Sequence, residues 1–279
     1  MCKKATALLL ALATIALLIT GCKGGYQNTA ENQGSSKTDK LEEIKTKGTL
    51  VVGCDPTIPN IIFMDEVTSE VTGFIPDIVN GFAAEIGVEV RWEILEWSAM
   101  LTAVNSGKVD MIAANMNMTI ERASQIEFSA PWLIDHAKAC VAIDSEYQTF
   151  SDLNKDGTKF GISSGSVYEE IIPKLFPKSK SVVLPLGTWQ DALQTGVIDV
   201  AYDDGIVFAG PLSTNHTIRV LEENGISYLN GFAFPNKDYK TRDVFNLYLM
   251  KIKALGQYAD LYEKWMGYPW KPDPSGVSF

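Results

Sequence analysis

The sequence predicts an α/β fold of two lobes, each a mostly parallel sheet flanked by helices. Three observations carry that prediction. Short β-type runs alternate with runs of helical period. The alternation occurs twice and is followed by a long amphipathic tail. Two similar segments, Asn105-Ser-Gly-Lys-Val-Asp110 and Gln194-Thr-Gly-Val-Ile-Asp199, each close a helix on Gly and open a strand with an apolar residue then Asp.

In the first set, Thr49–Gly53 (TLVVG) is a short apolar strand. Ile78–Ile86 (IVNGFAAEI) places apolar residues at helical spacing and stops at Gly87. Val88–Ile94 (VEVRWEI) alternates as a strand. Trp97–Ser106 is helical up to Gly107, and Val109–Ala114 (VDMIAA) is a further apolar strand. This βαβαβ order implies parallel strands with helices on both faces. The second set runs strand Lys159–Ile162, helix Ser166–Phe176, strand Val182–Pro185, a helix start at Asp191–Gly196 and strand Asp199–Tyr202. Asp243–Met266 is amphipathic and helical, and Pro269, Pro272 and Pro274 end regular structure.

The 279 residues are 46% hydrophobic and 21% charged, which excludes wholesale disorder and a collagen-like fibre. A net charge of −10 and a pI near 4.8 argue against a nucleic-acid partner. With two His and four Cys, a Cys/His-rich metal site is not expected, and no motif calls for a cofactor. One stretch alone is apolar for long enough to concern a membrane, so a polytopic membrane protein is excluded.

That stretch is N-terminal. Lys3 and Lys4 precede the apolar run Ala5–Ile19, which ends Leu18-Ile19-Thr20-Gly21-Cys22. The run is short for a spanning helix and typical of a signal peptide. Small residues before Cys22 resemble the lipobox of bacterial lipoproteins. That resemblance implies cleavage before Cys22 and lipid on its sulfur, so residues 1–21 are an expected signal. Loss of Lys3 and Lys4, with no acid, would take the charge from −10 to −12. Residues 22–38 are nearly free of aliphatic side chains after Cys22 and read as a tether. Cys54 and Cys140 could pair in an exported protein, but the layout puts them in different lobes.

Several motifs then fall in one order. They are Gly48-Thr-Leu-Val-Val-Gly-Cys-Asp55, Thr72-Gly-Phe-Ile-Pro-Asp77 and Val104-Asn-Ser-Gly-Lys-Val-Asp110. Thr119-Ile-Glu-Arg122 with Phe128-Ser-Ala-Pro-Trp132 follows, then Gly196-Val-Ile-Asp199 with Asp204, and Tyr258–Trp265. From Gly48 to about Gly267 the chain resembles the amino-acid-type solute-binding proteins of bacterial ABC importers, the extracellular solute-binding family 3. The resemblance implies a periplasmic-binding-protein-like fold with lobe I at 39–134 plus 230–279 and lobe II at 139–226. Two hinge strands near 134–139 and 226–231 would join them. It also implies a monomeric, non-enzymatic receptor that delivers a small amino acid or related zwitterion to an ABC permease. The receptor would be lipid-anchored on the extracytoplasmic side, at a Gram-positive surface or in a periplasm.

Site residues follow from the motifs. Arg122 can grip a carboxylate through two parallel charge-assisted hydrogen bonds, the role the family gives the Arg of its T-x-x-R motif, here opened by Thr119. As an ordinary helix-end residue it would instead form a surface salt bridge. Asp204, at a strand carboxyl end, is the expected partner of an α-ammonium, with Asp203 beside it able to face solvent; both could simply cap the next helix. The loop Ser163-Ser-Gly-Ser-Val167 offers N–H groups to an anion from lobe II, through Ser166 and Val167, and departs from the family's Gly-Thr-Thr. Trp97 stands where the family places a stacking aromatic, though a core role competes. Asp55 could reach a cationic side chain or serve as a turn residue. Asn115 and Asn117 depart from the family's small or hydroxyl residues and could reshape the pocket, although an Asn carbonyl still accepts from an ammonium.

Two enzymatic readings compete. Gly161-Ile-Ser163-Ser-Gly165 matches the G-x-S-x-G elbow between a strand and a helix, with Asp204 and His216 in hydrolase order. Only His136 and His216 could serve as base, and no HGGG-like loop is present. Some family members dehydrate a cyclohexadienyl acid, for which Glu169 or Glu170 would have to supply the acid.

Overall fold

The structure, a computed structural model, describes residues 39–271. The expected signal, Cys22 and the tether lie outside the described residues. Among the described residues no helix is long and apolar enough to cross a membrane.

Helix α1 (Lys40–Lys47) starts where Asp39 accepts the Glu42 N–H at 2.9 Å, and ends at left-handed Gly48. It leads into β1 (Thr49–Cys54). A small antiparallel sheet of β2 (Thr57–Ile58), β3 (Ile62–Met64) and β4 (Val71–Thr72) follows. Helix α2 (Phe74–Ile86) begins four residues before the expected Ile78. Pro76 falls in its first turn, where the N–H groups have no helical partner and proline costs little. Gly73, just before it, has φ of 127°, and a Cβ there would lie 2.6 Å from the Ile61 carbonyl oxygen, so only glycine fits.

Strand β5 (Glu89–Ile94), a 3-10 turn (Trp97–Ala99), α3 (Met100–Asn105) and β6 (Met111–Asn117) complete the first unit. β1 lies between β5 and β6, parallel to both. β6 starts two residues after the expected Val109 and runs through Asn117. Next come α4 (Ile120–Ala123), β7 (Glu127–Phe128), the long β8 (Leu133–Ala142) and α5 (Phe150–Leu153).

The second unit has β9 (Lys159–Ser163), α6 (Tyr168–Leu175), β10 (Lys180–Leu184), α7 (Trp189–Gln194) and β11 (Val200–Asp204). β9 lies between β10 and β11, again parallel. α6 opens at Tyr168, so Ser166 and Val167 stay in the loop rather than the helix expected from Ser166. After β11 come α8 (Gly205–Thr214), β12 (Ile218–Val220) and β13 (Ser227–Phe234). The single tail helix expected over Asp243–Met266 is two, α9 (Tyr239–Ala254) and α10 (Gln257–Met266). Gly256, with φ of 79°, breaks them.

The units are joined through antiparallel strands. Ser227–Asn230 of β13 pair with Leu133–His136 of β8. β8 continues into the second unit against β11 and β12, while β13 continues into the first against β6 and β7. The main sheet therefore runs β10-β9-β11-β8-β13-β6-β1-β5. Each unit buries apolar side chains on both sheet faces. Phe74, Phe82 and Phe245 lie on one face of the first, Met100 and Val104 on the other. Phe160 and Tyr202, then Trp189 and Phe208, do the same in the second. Val207 of α8 packs into the first unit's core, which brings the halves together.

The paired motifs have a shared role. Asp110 accepts the Val51 N–H of β1 at 2.8 Å, and Asp199 accepts the Lys159 N–H of β9 at 2.8 Å. In each unit the Asp ties its strand to the neighbouring parallel one. Cys54 and Cys140 are free, buried thiols in different cores.

Candidate functional site

The site forms where β6 and β11 end beside β13. Side chains alternate along a strand, so Asn115 and Asn117 of β6 point the same way. β13 sets Asn230 opposite Asn117. All three amides meet the last residue of β11. Asp204 Oδ2 accepts from Asn115 at 2.8 Å, Asn117 at 2.7 Å and Asn230 at 3.0 Å. The Tyr168 hydroxyl donates to Oδ1. Burial drives the Asp204 pKa up although these four bonds pull it down.

Asp203 is half-buried. It lines an inner cavity, where its Oδ2 accepts from Ser163 Oγ at 3.0 Å and its Oδ1 from the Asp204 N–H at 2.8 Å. Burial, then the charge of Asp204, pushes its carboxyl up to about 7. Burial and Asp204 likewise raise Asp135 of β8 to about 7, although it accepts the Ile206 and His136 N–H groups. Asp135 thus ties β8 to the start of α8.

Arg122 is buried at 8% exposure. Its helix α4 has one turn, capped by Thr119 Oγ1, which accepts the Arg122 N–H at 3.1 Å. The guanidinium donates to the Asn117 carbonyl at 3.0 Å and the Gly165 carbonyl at 3.1 Å. Trp97 Nε1 donates to the same Gly165 oxygen at 3.3 Å, and its ring lies 5.9 Å from the guanidinium carbon. Gly165, in the second half, is therefore held by two side chains of the first. Its φ is 76° and a Cβ would lie 3.1 Å from Ser98 Cα, so this close approach suits glycine. Among the described residues Arg122 forms no ion pair. Burial lowers its pKa against the pull of Asp204.

The inner cavity has apolar walls from Ile58, Trp97, Leu186 and Val207 and polar ones from Asn115, Asn117, Ser163, Ser166, Asp203 and Asp204. The Ser166 hydroxyl is buried there without a hydrogen-bond partner. At about 20 Å³ the cavity has room for one water. On the other side of Arg122 a cleft of about 470 Å³ opens outward past Thr119, Gln125, Val167 and Tyr228.

Of the expected residues, the fold gathers Trp97, Asn115, Asn117, Arg122, Ser166 and Asp204. Thr119 and Val167 sit on the outer cleft. Asp55 is buried near Thr57 and the Trp97 backbone, with its carboxyl raised to about 6 chiefly by burial, and does not line the inner cavity. The N–H groups expected to meet an anion are partly used inside the loop. Gly165 donates to Glu169, and Ser166 donates to the Ser163 carbonyl at 3.0 Å. Sequence reasoning missed Tyr168 and Asn230. An amide inside the apolar run Tyr228-Leu-Asn-Gly-Phe-Ala-Phe234 was a usable signal, because Asn is depleted in strands; Tyr168 offered none.

The hydrolase reading fails on geometry. Ser163 donates to Asp203, the His136 ring bonds Ser227 at 2.7 Å, and His216 is exposed. No imidazole stands beside the Ser163 hydroxyl among the described residues, so the Ser-His pairing that the motif calls for is not assembled. Glu169 and Glu170 border the outer cleft, and Glu170 pairs with Lys174 at 3.7 Å.

The sequence pattern of the bacterial extracellular solute-binding proteins, family 3, matches residues 50–268. The L-cystine-binding protein TcyA of Bacillus subtilis (strain 168) is 24% identical over 95% of this chain and 98% of its own. The solved structure of an ancestral amino acid-binding protein, described as a precursor of cyclohexadienyl dehydratase, is 28% identical with a TM-score of 0.76, over 82% of this chain and 100% of that one. An ancestral arginine-binding protein bound to arginine is 27% identical with a TM-score of 0.73, over 79% and 99%.

Proposed function

Because the chain belongs to the bacterial extracellular solute-binding proteins, family 3, we propose that it is the extracytoplasmic receptor of an ABC importer and captures an amino acid or similar zwitterion. In this reading lobe I is residues 39–134 with 230–271 and lobe II is 139–226, and the remaining residues 272–279 expected in lobe I lie outside the described residues. β8 and β13 act as the hinge. The inner cavity, about 20 Å³ with the halves together, admits an amino acid only when they part. Ligand then bridges them and shifts the population toward the closed form.

One observation carries the ligand class. Arg122 is a buried guanidinium whose hydrogen bonds go to two backbone carbonyls, leaving donors of its five unused and its charge without a counterion. A carboxylate supplies both. The acidic pair Asp203 and Asp204 suits the cationic end, in the cavity that Trp97 and Ser166 also line. We read the chain as a binder without turnover, in keeping with relatives such as the L-cystine-binding protein TcyA. Cys22 carries the lipid anchor, a permease receives the solute, and the chain works as a monomer; palmitate labelling lost in Cys22→Ser checks the anchor.

Isothermal titration with L-arginine and L-cystine tests the site. Arg122→Ala should weaken binding at least ~100-fold while far-UV circular dichroism stays native, because the loss leaves a carboxylate buried and unpaired. Unchanged affinity would remove Arg122 from the site.

A further inference from the structure

Helix α8 carries a glycine in its middle, Gly210, where glycine is a poor helix former. The reason lies across the seam between the halves. A Cβ on Gly210 would lie 2.7 Å from Pro59 Cβ and 3.4 Å from Pro59 Cγ. Carbon atoms in contact prefer about 3.5–4.0 Å, so a side chain at Gly210 would push one half away from the other. A second glycine stands beside it in the same way. A Cβ on Gly187, in the loop before α7, would lie 3.1 Å from Thr57 Cβ. Both contacts fall on one short stretch of the first half, Thr57-Ile58-Pro59.

That stretch is held firmly. Pro59 and Asn60 are the central residues of a tight turn, in which the Ile61 N–H donates to the Ile58 carbonyl at 3.2 Å. Proline fixes its own φ, and Asn60 takes the positive φ, 67°, that such a turn asks of its third residue. The start of α2 then clamps the turn. The Phe74 N–H donates to the Asn60 carbonyl at 2.9 Å and the Ile75 N–H to the Ile61 carbonyl at 2.9 Å. Beside both contacts lies the inner cavity. Ile58 sits between Thr57 and Pro59, Val207 lies one helical turn before Gly210, and both supply its apolar walls.

We propose that the Pro59 turn, seated on Gly210 and Gly187, is the stop that sets how far the two halves close over the solute. This rests on the amino-acid-receptor reading. Gly210 does not line the cavity, so it is a positioning residue: its missing side chain lets Ile58 and Val207 come together on the apolar part of the solute. A local reason for the glycine also exists, because Pro211 crowds a Cβ on the helical residue before it. That crowding is confined to α8, so a change at Pro59 cannot relieve it.

The test is titration of the wild-type protein, Gly210→Ala, Pro59→Gly and the double variant with L-arginine and L-cystine, beside small-angle X-ray scattering of each free protein. Pro59 is otherwise exposed, so its removal takes little packing from the first half. Whichever amino acid binds the wild type should bind Gly210→Ala at least ~10-fold more weakly. The double variant should return to within ~3-fold of Pro59→Gly. A loss that persists in the double variant puts the effect inside α8 and overturns the proposal, as does unchanged affinity in Gly210→Ala; both leave the receptor reading intact. Should Gly210→Ala lose its native circular dichroism, recovery in the double variant supports the stop and no recovery overturns it. If neither amino acid binds at millimolar concentration, the ligand class falls and scattering alone judges the stop. A larger radius of gyration in Gly210→Ala that the double variant reverses supports it, and any other pattern overturns it.

Discussion

Arg122 on the outer cleft and Asp203 on the inner cavity carry opposite charges, and their partners decide what each can do. Arg122 keeps its charge because no environment in a protein removes it. Asp203 does not: with its carboxyl raised to about 7, it is largely protonated in mildly acidic solution. The groups facing it are Asp204 on its own strand, Ser163 on β9 and Asp135 on β8, with Tyr168 of α6 on the far side of Asp204. The sign is that of a raised acid. The folded chain holds a proton the unfolded chain releases between about pH 4 and 7, so stability of the free protein falls as pH rises through that window. Asp135, also raised to about 7, adds to the slope. Urea denaturation from pH 4.5 to 7.5 should show this decline, shallower in Asp203→Asn; identical slopes would mean Asp203 titrates normally. At this scale the sequence was legible for Arg122, Trp97 and Ser166, whose motifs are local. It left the surroundings of Asp203 open, because the face a strand-end residue takes depends on the neighbour across the sheet.

At the scale of elements, Gly-x-x-Asp proved more than a resemblance between two short strings. Asp110 and Asp199 each bond the N–H of the adjacent parallel strand, one per unit. They differ in burial. Asp110 is 4% exposed and pairs with Lys40 at 2.7 Å, while Asp199 is 34% exposed with Lys159 at 4.0 Å. Asp110→Ala should therefore cost about 2–3 kcal/mol and Asp199→Ala about 1 kcal/mol or less in urea denaturation. Equal losses would show that exposure does not grade the tie. Element identity was readable because apolar period and Gly stops are local. Boundaries shifted where tertiary contacts chose them. β6 runs on to Asn117 because β13 pairs with its end, and the tail breaks at Gly256 to pack two helices, Phe245 in one and Tyr258 in the other, on one core.

At the scale of the molecule, β8 and β13 carry the sheet between halves, and side chains hold the halves together around them. Arg122 and Trp97 bond Gly165, and Asn115 and Asn117 bond Asp204. These are contacts of modest individual worth, about 1 kcal/mol each, and more where one partner is charged. Asn115→Ala with Asn117→Ala should thus enlarge the radius of gyration of the free protein in small-angle X-ray scattering, and added ligand should contract it. No enlargement would mean the amides do not restrain opening.

The sequence by itself determined the two α/β units, the family to which they belong and the buried positive charge at Arg122, because hydrophobic period, helix stops and short motifs are properties of neighbouring residues. Only the tertiary structure decided which donors surround Asp204. Asn230 lies 26 residues from Asp204 and 113 from Asn117. Their meeting depends on strand register across two halves, which no local pattern in the sequence encodes.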